Sequence, residues 1–218
     1  MQREISEIFR RIALIKEKYG IDRKITVIAA TKTVEAEKIA LLPQYGITVA
    51  GENRVQELLD KYDKVKGIEW HFIGALQTNK VKYIVDKVKL IHSLDRESLA
   101  DEIDRQAGKR GIVSDVLVEI NIGREASKSG VLPERAEELM AYVANKTHVR
   151  LRGVMSVFPV NAPDEAYESL AAFGKTAEKN YGAEIISAGM SGDYEKAVRF
   201  GANMVRLGSA IFGKRIYV

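Results

Sequence analysis

The chain has 218 residues, 46% hydrophobic, 29% charged and 7% aromatic, an ordinary globular mixture that excludes a disordered, collagenous or coiled-coil protein. Its 34 Lys and Arg stand against 30 Asp and Glu, a formal net charge of +4, but acids are interspersed with the bases, so solvated helix faces are expected and a nucleic-acid surface is not. The lack of cysteine excludes disulfides, thiolate metal sites and a Cys nucleophile, and His71, His92 and His148 are scattered, with no H-E-x-x-H pair to suggest zinc.

Residues 1–18 set acids and bases around spaced apolar positions, which predicts an amphipathic leading helix and not a signal peptide. No apolar stretch approaches the roughly 18 residues a membrane span needs, and a cytoplasmic protein is expected. A Val/Ile-rich strand is predicted over 25–30, then a helix over 35–42. Strand 47–50 and helix 55–64 follow, then strand 70–73 and helix 79–87. Strand 90–93, helix 97–109, strand 115–120 and helix 133–145 come next. Strand 151–157, helix 164–180, strand 184–188, helix 194–200 and strand 203–207 complete the series. Pro133 and Pro163 sit where helices begin, and Gly46, Gly111 and Gly182 where they end. Strands alternating with helices predict a parallel sheet. Eight of them favour closure into a single (β/α)8 barrel domain over 1–218 with an extra N-terminal helix, since closure removes both sheet edges. An open doubly wound sheet is the alternative. The length is below the roughly 250 residues of a typical barrel, so loops must be brief and no second domain fits.

Barrel chemistry belongs at the C-terminal strand ends. Lys32 follows the apolar first strand directly, in Ala30-Thr31-Lys32-Thr33, which would place an amine at the barrel mouth, able to attack a carbonyl and form an imine. A solvated loop lysine is the bland reading. Gly51-Glu52-Asn53-Arg54, read as the loop after the second strand, could offer polar groups to a ligand or cap the next helix. Thr78 is an N-cap candidate, and His92 is read as a hydrogen-bonded core residue. The segments 187–193 (SAGMSGD) and 206–209 (RLGS) place small residues after strands seven and eight, the position where barrels frequently bind phosphate. Gly189-Met190-Ser191-Gly192-Asp193 approaches a G-x-S-x-G elbow, but no His follows it, which excludes a hydrolase triad in the usual order. Neither G-x-G-x-x-G nor G-x-x-x-x-G-K-[ST] occurs. A strand-one lysine facing a phosphate cup suggests a phosphorylated aldehyde held as an imine. Pyridoxal 5′-phosphate (PLP) and a sugar phosphate in an aldolase both satisfy that pattern.

The ordered motifs Thr31-Lys32-Thr33, Gly51-Glu52-Asn53-Arg54-Val55-Gln56-Glu57, His71-Phe72-Ile73-Gly74 with Leu76-Gln77 and Asn79-Lys80, Ile91-His92-Ser93-Leu94-Asp95, Asn121 with Glu125, Lys128 and Gly130, Gly189-Met190-Ser191 with Asp193, and Val205-Arg206 with Gly208 resemble the pyridoxal phosphate homeostasis proteins, also called proline synthetase co-transcribed homologues. Their barrel is similar to the N-terminal domain of alanine racemase. Ala188 departs from the Met usual there, and Thr31 from a frequent Ser. The resemblance implies that Lys32 carries PLP as an internal aldimine and that Arg206 faces the pyridine nitrogen. It implies that Ser191, Gly192, Gly208 and Ser209 hold the phosphate, and that Asn53, Met155 and Ser156 line the pocket. A cation at the ring nitrogen disfavours its protonation and so weakens the ring as an electron sink. The chain ends soon after the last strand, without the second domain that supplies alanine racemase with its opposite-face base. The expectation is therefore a monomeric PLP carrier or buffer, partnered by PLP and apo PLP-dependent enzymes, without nucleic acid, membrane or metal, and not an efficient enzyme. A small PLP-dependent amino-acid racemase and a Schiff-base aldolase are the alternatives.

Overall fold

The computed structural model of the chain describes residues 1–213; positions 214–218, the end of the domain expected over 1–218, lie outside the described residues. The leading helix α1 spans Gln2–Tyr19 and buries Ile5, Ile8 and Ile12, three residues at helical spacing on one face. Eight strands follow: β1 Thr26–Ala30, β2 Val49–Glu52, β3 Glu69–Phe72, β4 Leu90–Leu94, β5 Ser114–Glu119, β6 Val149–Met155, β7 Ile185–Ser187 and β8 Met204–Leu207. They form a closed parallel barrel in sequence order, as the alternating pattern predicts. The open sheet is excluded by direct pairing of the first strand with the last, Ile28 opposite Arg206 and Ala29 opposite Leu207.

The crossovers are α2 Ala36–Ile39, α3 Val55–Tyr62, α4 Val81–Ile84, α5 Glu97–Lys109, α6 Pro133–Ala144, α7 Asp164–Tyr181 and α8 Tyr194–Arg199, with a short α9 Ser209–Phe212 after β8. Two predicted helices are shortened. The run 35–42 holds only one α-turn before a tighter turn over Leu42–Tyr45, where Pro43 cannot donate a helical hydrogen bond. The run 79–87 divides into a tight turn over Thr78–Lys80 and the four residues of α4. The second strand lies at 49–52, two residues beyond the predicted 47–50. Glu52 is therefore not a loop residue: it ends β2, fully buried.

Most of the core lies between the barrel and its helices, in one continuous cluster that includes Ile28's neighbours Val27 and Ala29, Leu58, Ile91, Val118, Leu139 and Leu170. The barrel interior is different. Its apolar side chains include a small group, Leu90, Leu117 and Met155, with Val157, Ile185 and Met204 against it, and Ile28 beside Arg206. Buried polar side chains, His71, His92, Ser187 and Arg206 among them, occupy the rest. Barrel interiors are usually filled by layers of branched apolar residues, so this polar filling needs a reason. One backbone position is fixed by the packing of β6 on β7. Gly153 has φ +145°, and a Cβ there would stand 1.8 Å from the Ile185 carbonyl oxygen, so no other residue fits.

Candidate functional site

The C-terminal strand ends surround a cavity of about 710 Å³, lined by Ala30, Lys32, Asn53, Ile73, Val157, Met190, Ser191, Gly192, Arg206, Gly208 and Ser209. Seven of the nine residues picked out from sequence thus share one wall system. The barrel closure explains the juxtaposition: β1 pairs with β2 on one side and β8 on the other. The loop carrying Lys32 therefore stands between those carrying Asn53 and Gly208-Ser209. Met155 and Ser156 do not line the cavity. Both are fully buried: Met155 packs into the barrel interior with Leu90 and Leu117, and Ser156 turns its hydroxyl to the Ile120 carbonyl at 2.7 Å. Val157, one residue further, is the wall residue from this segment.

Lys32 is half-buried, and no hydrogen-bond or ion-pair partner occupies its amine among the described residues. Its backbone is held from outside the cavity. Lys61 on α3 donates to the Thr31 carbonyl at 2.9 Å, to Glu52 Oε1 at 2.7 Å and to Glu57 Oε2 at 3.3 Å. Thr31 Oγ1 donates to the same Glu52 oxygen at 2.7 Å, and Glu57 Oε2 accepts the Thr33 N–H at 2.8 Å. That last bond holds Thr33 at φ 62°, a left-handed conformation unfavourable for a β-branched residue. Lys61 has three acceptors for its three N–H groups, so of these two neighbouring lysines only Lys32 presents an uncommitted amine. Asn53 is pinned by close backbone contact, since a Cβ on Gly74 would lie 2.3 Å from the Asn53 carbonyl oxygen.

The opposite wall is cationic and rich in small groups. Arg206 is buried and donates from Nη1 to Ser187 Oγ at 2.8 Å and from Nη2 to the Ser156 carbonyl at 2.9 Å. These bonds use only part of its five-donor fork. It makes no ion pair among the described residues. Burial pushes its pKa down to about 10, against the pull of Glu119 and Asp193. In the loop after β7, Asp193 accepts the Met190 N–H at 2.7 Å and the Tyr167 hydroxyl at 2.8 Å. Ser191 Oγ accepts the Ala210 N–H at 3.0 Å, joining this loop to the start of α9. A Cβ on Gly192 would meet nothing within 4 Å, so the backbone there opens onto space. Sequence reasoning missed Glu119, at the end of β5. Burial first, and the neighbouring Asp95 second, push its carboxyl up to about 7 despite the opposing Arg206. No motif flagged it, because its environment is assembled from β4, β5 and β8.

The donor set suits a ring aldehyde with an anionic tail: one uncommitted amine, one buried guanidinium with donors to spare, and two loops of serine and glycine. It does not suit a metal, and no group of three or more His, Asp or Glu with metal-holding geometry exists among the described residues. No helix among them is long and apolar enough to cross a membrane.

Residues 4–215 match the family model described as alanine racemase, N-terminal domain. A pyridoxal phosphate homeostasis protein of Aquifex aeolicus is 42% identical over 222 residues, covering 98% of this chain and 97% of that protein. PipY of Synechococcus elongatus PCC7942 has been solved without and with PLP bound, at 27% and 26% identity and TM-scores of 0.82 and 0.80, each covering 94% of this chain and 99% of PipY. Alanine racemase of Clostridium difficile 630 shares the fold alone, with 16% identity and a TM-score of 0.77, covering 99% of this chain and 57% of the racemase.

Proposed function

Because the chain belongs to the pyridoxal phosphate homeostasis protein family, we propose that it binds PLP in the barrel-mouth cavity and serves intracellular PLP homeostasis as a reversible carrier. The observation that carries the proposal is the placing of the unpartnered Lys32 amine in one cavity with the Arg206 guanidinium and the Ser191-Gly192 and Gly208-Ser209 turns. Bound PLP supplies an aldehyde that forms a Schiff base with a primary amine and a ring that withdraws electrons from it. Lys32 provides the amine. Ser191, Gly192, Gly208 and Ser209, all on the cavity wall, hold the phosphate, with open space beside Gly192. Arg206 faces the ring nitrogen and, as a cation, disfavours a proton there. Asn53 and Val157 shape the remaining walls, with Met155 and Ser156 supporting them from beneath.

This arrangement favours holding and handing on over turnover. Lys32 gives up the aldehyde when an incoming amine takes its place, one C=N bond forming as the other breaks, with the lysine amine restored. The proposal extends to a monomer acting in the cytoplasm as one domain over 1–218, with apo PLP-dependent enzymes as recipients. The test is the near-visible spectrum of the purified protein after addition of PLP, with borohydride reduction and peptide mapping. A yellow protein whose label maps to Lys32, and a colourless Lys32→Ala variant, are expected. Label on another lysine, or a variant that stays yellow, would refute it.

A further inference from the structure

The polar interior of the barrel forms one connected line. Arg206 Nη1 reaches Ser187 Oγ at 2.8 Å, Ser187 Oγ lies 3.0 Å from His92 Nδ1, His92 Nε2 lies 3.0 Å from His71 Nδ1, and His71 Nε2 lies 3.1 Å from Glu69 Oε1. The line crosses from β8 to β7, β4 and β3. It begins under the cofactor cavity. It ends at the other mouth of the barrel, where Glu69, with a side chain 48% exposed, and His71 border a cavity of about 490 Å³ with Thr26, Thr48 and Met204.

With both rings neutral, the Glu69 carboxylate sets the direction of every bond. A guanidinium only donates and a carboxylate only accepts. Ser187 Oγ receives from Arg206 and has its own proton free to give to His92 Nδ1. His92 must then carry its proton on Nε2 and donate to His71 Nδ1. His71 carries its proton on Nε2 and donates to Glu69. Reversing neutral His71 would set a lone pair against the Glu69 carboxylate, and reversing His92 alone would set its Nε2 lone pair against that of His71 Nδ1. Neutral His92 agrees with its fully buried position: burial, then His71 and Arg206, hold its pKa well below the usual 6.5. The line also answers how Arg206 is buried without an ion pair. A buried charge is costly unless its hydrogen bonds are satisfied, and a chain of aligned bonds polarises toward a distant anion.

We propose that Ser187, His92, His71 and Glu69 are positioning residues for the cofactor, a one-directional hydrogen-bond chain that orients the Arg206 guanidinium toward the ring and ties it to a carboxylate on the opposite face of the barrel. The proposal rests on the PLP reading above, and its test separates the two. In the protein without PLP at pH 7, long-range ¹⁵N–¹H spectra should show both His71 and His92 as the Nε2–H form. The carboxylate end sets the direction, because a serine oxygen can accept twice, so Ser187→Ala should keep these forms and Glu69→Ala should release the rings into a mixture. An Nδ1–H ring in the wild type, or the same fixed tautomers in Glu69→Ala, overturns the chain. On titration with PLP, Ser187→Ala should bind about tenfold more weakly, the effect of one hydrogen bond to a charged group, and shift the absorption maximum of the bound cofactor, with Ser187→Thr restoring both. Unchanged affinity and maximum in Ser187→Ala overturn the positioning role. A wild type that takes up no PLP refutes the cofactor reading and the positioning role together, and the tautomers still decide the chain.

Discussion

Replacing Lys61 by methionine removes the hub that holds the Lys32 loop. In the folded protein this ammonium serves the Thr31 carbonyl, Glu52 and Glu57 at once, and its side chain is 12% exposed against 0% for Glu52. Lys61→Met keeps the length of the stem and leaves the buried Glu52 carboxylate with only the Thr31 hydroxyl, since Glu52 Oε2 has no partner to begin with. Breaking a buried pair by removing one member costs about 3–5 kcal/mol. The slight exposure of Lys61 selects the lower end. At roughly 2–4 °C per kcal/mol for a protein of this size, about 3 kcal/mol lowers Tm by roughly 6–12 °C. Thermal unfolding of the PLP-free protein, followed by circular dichroism, measures it. Adding Glu52→Gln to Lys61→Met neutralises the stranded group and should recover part of the loss. A single variant melting within about 2 °C of wild type, or a double variant no more stable than the single, would show that Glu52 is not held by this amine.

Two further outcomes follow from other sites. In the unfolded chain Glu119 titrates at the ordinary 4.5 and in the fold at about 7, so the folded state holds the extra proton between these values and stability falls as pH rises across that window. Glu119→Gln should therefore stabilise the protein by about 3 kcal/mol at pH 8 and far less at pH 5, read as urea midpoints; an equal effect at both pH values would refute the assignment. Gly153→Ala combines an unfavourable φ with a Cβ driven into the Ile185 carbonyl, and should cost more than about 3 kcal/mol, whereas Tm within a degree or two of wild type would mean that β6 and β7 can separate at no cost.

The barrel was legible because strands buried on both faces read as short Val/Ile-rich runs, and Lys32, Ser191 and Arg206 because they lie at or just past the ends of such runs; Asn53 entered through the family resemblance. What failed to show was side-chain direction at the strand ends. Moving β2 by two residues takes Glu52 from a loop into the buried layer between β2 and α3. Two residues past the end of β6 the chain goes from the buried Met155 to the half-buried cavity wall at Val157, and the hydropathy of the segment is the same either way. The contacts of Glu119 and of the His71–His92 pair join strands far apart in sequence, so no local spacing encodes them. His92 was expected as a hydrogen-bonded core residue, and it is one. Its partners, Ser187 and His71, were out of reach.

The seam where Ile28 lies opposite Arg206 has a consequence for biosynthesis. The Lys32 edge of the proposed site leaves the ribosome long before the Arg206 edge, so a nascent polypeptide has no complete grip on a ligand until β8 arrives. Capture at that site therefore requires that the ring of strands has shut.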